Sequence, residues 1–234
     1  MSTKSPAAVA WTLPPAALAI FLRELRAEFR TRELLNTTVV FVLIIVVMFS
    51  FSLNPSAQQA REFGPGLLWL AFLFAGSLML QPAFTRELAS DTISSLRMAP
   101  IDPSAILFGK VAANFFFLTF AEWLMLPVFG VLFNVPVWPV VGPLAMVLGL
   151  GTLGVCVAGT AFSAMTAQAR LRELLLPLLL LPFLAPVLVA AVDATSGLFA
   201  EVPELRFTPL KILAAFDVIF LTAAWLLFEN LIEE

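Results

Sequence analysis

Six apolar blocks, each long enough to cross a lipid bilayer, dominate this chain, and positive charge falls on alternate connectors between them. The blocks run roughly over Thr37–Leu53, Gly64–Ala83, Val111–Phe133, Val140–Phe162, Leu174–Val192 and Pro209–Phe228. A hydrocarbon layer of ~30 Å takes about 20 helical residues at a rise of ~1.5 Å each. No stretch alternates in polarity at strand spacing, which argues against a lipid-facing β-barrel. Composition excludes a soluble domain: 61% of residues are apolar and 12% are charged, where a soluble protein carries ~25% charged residues. The expectation is an all-α integral membrane protein with six transmembrane helices in a single domain.

Orientation follows from the basic residues. Lys4, Arg23, Arg26, Arg30, Arg32, Arg86, Arg97, Lys110, Arg170 and Arg172 lie before the first block, between the second and third, or between the fourth and fifth. Only Arg61, Arg206 and Lys211 lie on the other side. This positive-inside bias predicts that both termini face the cytoplasm, and an even number of spans is consistent with their sharing one side. The net charge of -3 has no bearing on this, because acidic residues contribute little to topology.

The first 34 residues read as a cytoplasmic tail and an amphipathic elbow helix. Leu18, Leu22, Leu25 and Phe29 recur at helical spacing beside Arg23, Arg26 and Arg30. Such a helix lies along the membrane surface before the chain turns inward. A secretory signal reading, with Ala7–Leu22 as its apolar core, is disfavoured. Pro14-Pro15 interrupts the run and arginines follow at once.

The residue inventory removes several chemistries. The chain has one cysteine, Cys156, and no histidine. An intrachain disulfide, a histidine-ligated zinc or haem and a histidine-based triad are therefore excluded within this chain. Methionines such as Met79, Met98 and Met125 read as packing residues. No metal site, catalytic residue or nucleic-acid partner is expected.

The connector over 84–110 is the most specific local signal. Ser90, Asp91 and Thr92 can cap a short helix that Pro100 and Pro103 would end, presenting Ile93, Leu96 and Arg97 to the cytoplasm. Apolar side chains there need cover, since wet apolar surface costs roughly 25 cal/mol per Å². Either a partner's groove or the membrane surface provides it. Gly109-Lys110 superficially matches the end of a phosphate-binding loop. However, Ser104 stands where the opening glycine belongs, so no phosphate cradle exists. Lys110 reads instead as a lysine near the inner interface.

Inside the membrane, Glu122 falls near mid-bilayer on the face shared with Thr119, with no basic residue in the middle of any block to pair with it. It reads either as a polar element of a transport path or as a carboxyl hydrogen-bonded between helices. Asp217 reads as lying a few residues from the outer end of the last block, within reach of the interface. In the fourth block Thr152, Cys156, Gly159, Thr160 and Ser163 recur at near-helical spacing, a face suited to close helix packing. Pro177, Pro182 and Pro186 are expected to kink the fifth block or split it into a re-entrant element. Residues 193–211 read as the longest external connector, and Trp138 in the tight Asn134–Pro139 loop as a headgroup anchor.

The order of elements resembles one family. It begins with Phe21-Leu-Arg-Glu-Leu-Arg-Ala-Glu-Phe-Arg and then Pro65-Gly66-Leu67-Leu68-Trp69 opening the second block. Phe84-Thr-Arg-Glu-Leu-Ala-Ser-Asp-Thr-Ile, Ala99-Pro100-Ile-Asp-Pro103 and Gly109-Lys110 follow, and then Arg170-Leu-Arg-Glu-Leu-Leu-Leu-Pro177 after the glycine-rich fourth block. Over residues 20–228 this is similar to the CcmB family, the haem exporter protein B permeases of cytochrome c maturation. The resemblance implies a type-2 ABC-transporter permease fold, present as two copies and bound to a separate CcmA-like ATPase that holds the ATP. It implies that the connector is a coupling helix, with Arg86, Glu87, Asp91, Thr92, Ile93, Leu96 and Arg97 touching the ATPase. The glycine of the family's acidic-Gly-hydroxyl-Leu stretch is missing at Asp91-Thr92-Ile93. Further implied are CcmC-like and CcmD-like membrane subunits, a CcmE-like haem chaperone downstream, and a bacterial inner membrane or organellar equivalent. Haem would be a substrate of the complex rather than a cofactor of this chain. Three alternatives stand beside this reading: a type-2 permease exporting a lipid, glycan or drug; an ion-coupled carrier using Glu122 and Asp217; and a structural subunit.

Overall fold

The computed structural model describes residues 13–53, 55–81, 103–166, 169 and 172–233. Seven α-helices occupy them, and no strand occurs among the described residues. The helices are α1 Leu13–Thr31, α2 Glu33–Leu53, α3 Ala57–Leu80, α4 Pro103–Leu132, α5 Val141–Thr166, α6 Arg172–Phe199 and α7 Phe207–Glu233. A short 3₁₀ turn, Trp138–Val140, leads into α5. Helices α2 to α7 supply six segments long and apolar enough to cross a membrane. The chain is thus an all-α, multi-pass membrane protein.

Local chemistry sets the start of α3 and the turn between α1 and α2. Helix α3 opens at a capping box: the Ser56 side chain accepts from Gln59 N–H, and the Gln59 side chain accepts from Ser56 N–H at 3.0 Å. This start puts Pro65-Gly66 two turns inside the helix rather than at its opening. Between α1 and α2 the chain turns at Arg32, whose φ is 54°. The buried Glu28 closes that turn by accepting from Leu35 N–H at 2.9 Å, satisfying a donor in the first turn of α2.

Helix α5 is the hub, packing against α3, α4, α6 and α7, while α1 lies on α4. Small residues make this possible. A Cβ on Gly151 would sit 2.2 Å from the Trp69 ring of α3, so the indole fills the space where a side chain would be. Trp69 is held there by its Nε1–H, which donates to Thr195 Oγ1 at 2.9 Å. In lipid, where no hydrophobic drive separates helix from solvent, close backbone approach and such hydrogen bonds supply the association. At the far end of α4, Phe129 stacks on Phe133 at 4.5 Å between ring centroids.

Three expectations about element bounds change. Helix α6 runs unbroken from Arg172 to Phe199 with all three prolines inside it, so it is not split. Its buried stripe, Leu176, Leu180, Leu184, Val187, Ala191 and Leu198, is continuous, and none of the prolines belongs to it. The connector assigned to 193–211 shortens to 200–206, because α6 continues to Phe199 and α7 begins at Phe207. Glu204 N–H donates to Gly197 O at 2.9 Å and Arg206 pairs with Asp193, so this link folds back on the end of α6. Finally, α4 starts at Pro103, two turns before the apolar block, which draws Lys110 into the bundle.

Candidate functional site

The polar residues of the spans converge on α5. Glu122 is 1% exposed near the middle of α4, in a buried stripe with Leu118, Ala121, Met125 and Phe129. The Thr152 hydroxyl lies 2.7 Å from Glu122 Oε1 and 2.8 Å from Oε2. One hydroxyl has one proton, so the two carboxyl oxygens share a single donor. Two turns along the same face of α5, Thr160 Oγ1 accepts from Asn114 Nδ2 of α4 at 3.1 Å. Ser163 Oγ then donates to Leu80 O at 2.8 Å, satisfying a carbonyl in the last turn of α3. Leu80 also packs against Gly159, where a Cβ would lie 2.3 Å from its Cδ1. The buried Cys156 sits between Thr152 and Thr160. The Thr152–Ser163 face is therefore an interhelical seam.

The structure separates residues that the sequence had grouped. Thr119 does not join Glu122. It lines an apolar groove with Phe21 of α1 and Phe115, Phe116, Phe120 and Trp123 of α4, and its hydroxyl has no partner among the described residues. Asp217 is not near a helix end. It lies ten residues into α7, ~15 Å at ~1.5 Å per residue, and is 5% exposed. Its Oδ1 is 2.9 Å from where a Cβ on Gly154 would be, and neither oxygen has a partner among the described residues. Thr152 and Gly154 are two residues apart, about 200° around a helix with 3.6 residues per turn. Glu122 and Asp217 thus flank α5 from opposite sides at similar depth rather than sharing a cavity.

A second polar cluster joins α1 to α4. Lys110 Nζ donates to Glu24 Oε1 at 3.1 Å, and Arg23 Nη2 donates to the same oxygen at 2.8 Å. Lys110, expected near the inner interface, is 2% exposed and is met there by Glu24 of the elbow helix. Burial alone would raise the Glu24 carboxyl, but Lys110 and Arg23 outweigh that and hold it below the ordinary glutamate value. Just before Lys110, a Cβ on Gly109 would meet Ile20 Cβ at 2.7 Å and Ala17 O at 2.9 Å. Only glycine lets α1 approach this closely. On the elbow itself Ala16, Ile20 and Glu28 are buried, whereas Leu18, Leu22 and Phe29 face outward, the apolar stripe available to lipid.

Arg86, Glu87, Asp91, Thr92, Ile93, Leu96, Arg97 and Arg170 lie outside the described residues. Glu24 and Asn114 join the site only in the fold. Asn114 carried a visible signal, a lone amide inside an apolar block, while Glu24 and Lys110 stand 86 residues apart with nothing local to link them.

Fold and site together define a multi-pass helical membrane protein whose buried polar groups bind its helices to one another and whose elbow is clasped to α4. The family described as CcmB protein matches residues 15–230, nearly the whole bundle, and the chain belongs to that family. It is 31% identical over 189 residues to Heme exporter protein B of Rhodobacter capsulatus, covering 79% of this chain and 86% of that protein. It is 29% identical over 185 residues to the protein of the same name from Pseudomonas aeruginosa, covering 79% and 82% of the two chains. To that from Bradyrhizobium diazoefficiens it is 26% identical over 206 residues, covering 88% and 92%.

Proposed function

We propose that this chain is the permease subunit of an ABC-type complex that handles or exports haem for cytochrome c maturation, in the bacterial inner membrane or an organellar equivalent, with both termini cytoplasmic. The observation that carries this reading is the family match over residues 15–230, which spans the elbow and all six membrane-crossing helices. The subunit itself is non-catalytic. A separate CcmA-like ATPase binds and hydrolyses ATP and moves the 84–103 connector, and with it the helices, of two permease copies. CcmC-like and CcmD-like subunits complete the complex, and a CcmE-like chaperone receives the haem. The absence of histidine from the chain supports a mechanical role over haem ligation, because no imidazole is available to hold iron.

The carrier alternative built on Glu122 and Asp217 is weakened by their placement on opposite sides of α5. Ion relays use acids that share a water-filled path or pair with cations.

Affinity purification of the tagged chain from its native membrane tests the proposal. An ABC ATPase should accompany it, and charge reversal at Asp91 or Arg97 should release that ATPase. Loss of the gene should abolish holocytochrome c. A chain that never brings down an ATPase overturns the ABC reading, and normal cytochrome c levels without the gene overturn the haem reading.

A further inference from the structure

The joint between the elbow helix and α4 has two independent features of a device that makes two helices move as one. The first is the ion pair of Glu24 with Lys110 at 3.1 Å, the lysine being 2% exposed. Withdrawing a counter-charge from a buried lysine is costly, so this pair opposes the separation of α1 from α4. The second is steric. Gly109 admits Ile20 and the Ala17 carbonyl of α1 to positions a side chain would occupy. The joint lies within two turns of Pro103, where α4 emerges from the connector over residues 82–102. At its other end α1 is tied to α2, since Glu28 accepts from Leu35 N–H at 2.9 Å across the Arg32 turn.

We infer that Glu24 and Lys110 form a positioning pair that locks the elbow to the base of α4, so that displacement of that base is carried through α1 to α2. Helix α2 is the span least enclosed by the rest of the bundle, with 17% of its apolar window buried, and is therefore the one freest to follow such a push. This inference rests on the ABC reading for the origin of the push, and on the structure alone for the lock.

Spin labels at Ala27→Cys on the exposed face of α1 and Val131→Cys on the exposed far end of α4 report the lock directly. The label on α4 stands ~30 Å along the helix from Lys110 at ~1.5 Å per residue, within range of electron–electron distance measurement. With Cys156→Ser as background, the labelled full-length chain diluted into excess unlabelled chain in lipid nanodiscs should give one narrow distance distribution. Lys110→Met should broaden it and Lys110→Arg should keep it. Lys110→Met combined with Glu24→Leu should recover it, because two apolar side chains then fill the joint in place of the ion pair. Gly109→Leu should broaden it by a separate route.

In cells, Lys110→Met should lower cytochrome c yield several-fold while the ATPase recovered with the chain stays at the wild-type amount. A narrow distribution in Lys110→Met, or a broadened one with unchanged yield, overturns the inference. Loss of the ATPase from Lys110→Met also overturns it, in favour of a binding role. Failure of the wild-type chain to recover any ATPase sinks the ABC reading instead, and the distance measurements then judge the lock separately.

Discussion

Thr152→Val keeps the shape of the side chain and removes the one proton that Glu122 shares between its two oxygens. Glu122 is 1% exposed, so water does not replace the lost donor. An unsatisfied buried acceptor costs about 1–3 kcal/mol in soluble proteins. Between membrane helices the measured couplings are smaller, averaging ~0.6 with a maximum of ~1.7 kcal/mol, because the helices separated in lipid also find partners. The short distances and near-complete burial put this pair toward the upper part of that range, near ~1 kcal/mol, about a five-fold change in the folding equilibrium. The assay is reversible unfolding in mixed micelles followed by tryptophan fluorescence, run as a double-mutant cycle with Glu122→Leu. Removing both partners should cost less than the sum of the single changes by that coupling. A coupling energy indistinguishable from zero would show that the hydroxyl and the carboxyl do not meet, and the interhelical seam would lose its central contact.

Four further outcomes are expected. Gly151→Ala should destabilise by about 1–3 kcal/mol through overpacking, because the added carbon lands 2.2 Å from a Trp69 ring that its bond to Thr195 holds in place. Gly149→Ala, with nothing within 4 Å of the new carbon, should be neutral or stabilising in the same unfolding assay. Glu122→Gln retains an acceptor for Thr152 and should leave folding intact, so a fall in cytochrome c yield in that variant would mark the carboxyl as functional, and an unaltered yield would confine it to packing. Docking of the elbow should weaken in acid. Arg23 and Lys110 face Glu24 and depress its carboxyl in the folded chain, so the stabilisation is full above the ordinary glutamate range. It is lost progressively as pH falls through that range toward the depressed value. Spin-label distances that stay narrow throughout would rule out the charge on Glu24 as the cause of docking.

Much of the architecture was already legible in the one-dimensional pattern. The thickness of a bilayer fixes how long an apolar run must be, so six blocks read directly as six helices without reference to their neighbours. The elbow was visible because Leu18, Leu22, Leu25 and Phe29 follow the helical period among arginines. Thr152, Thr160 and Ser163 stood out as polar groups spaced along one face. These are properties of local sequence in a uniform solvent, and the chain alone carries them.

Tertiary packing decided the rest, because it depends on how each helix is rotated and where it starts. Thr119 is three residues from Glu122, yet the rotation of α4 turns it into a groove beside Phe21. Asp217, read as a group within reach of the interface, is instead buried mid-helix because α7 packs it against Gly154 of α5. The three prolines fit within one helix α6, each off its buried stripe, so none interrupts the packing against its neighbours. Lys110, an unremarkable interfacial lysine in the sequence, became buried because an elbow 86 residues upstream folds over it and supplies Glu24. A sequence states which groups must find partners in lipid; only the folded bundle, by setting rotation and depth together, determines which partner each one meets.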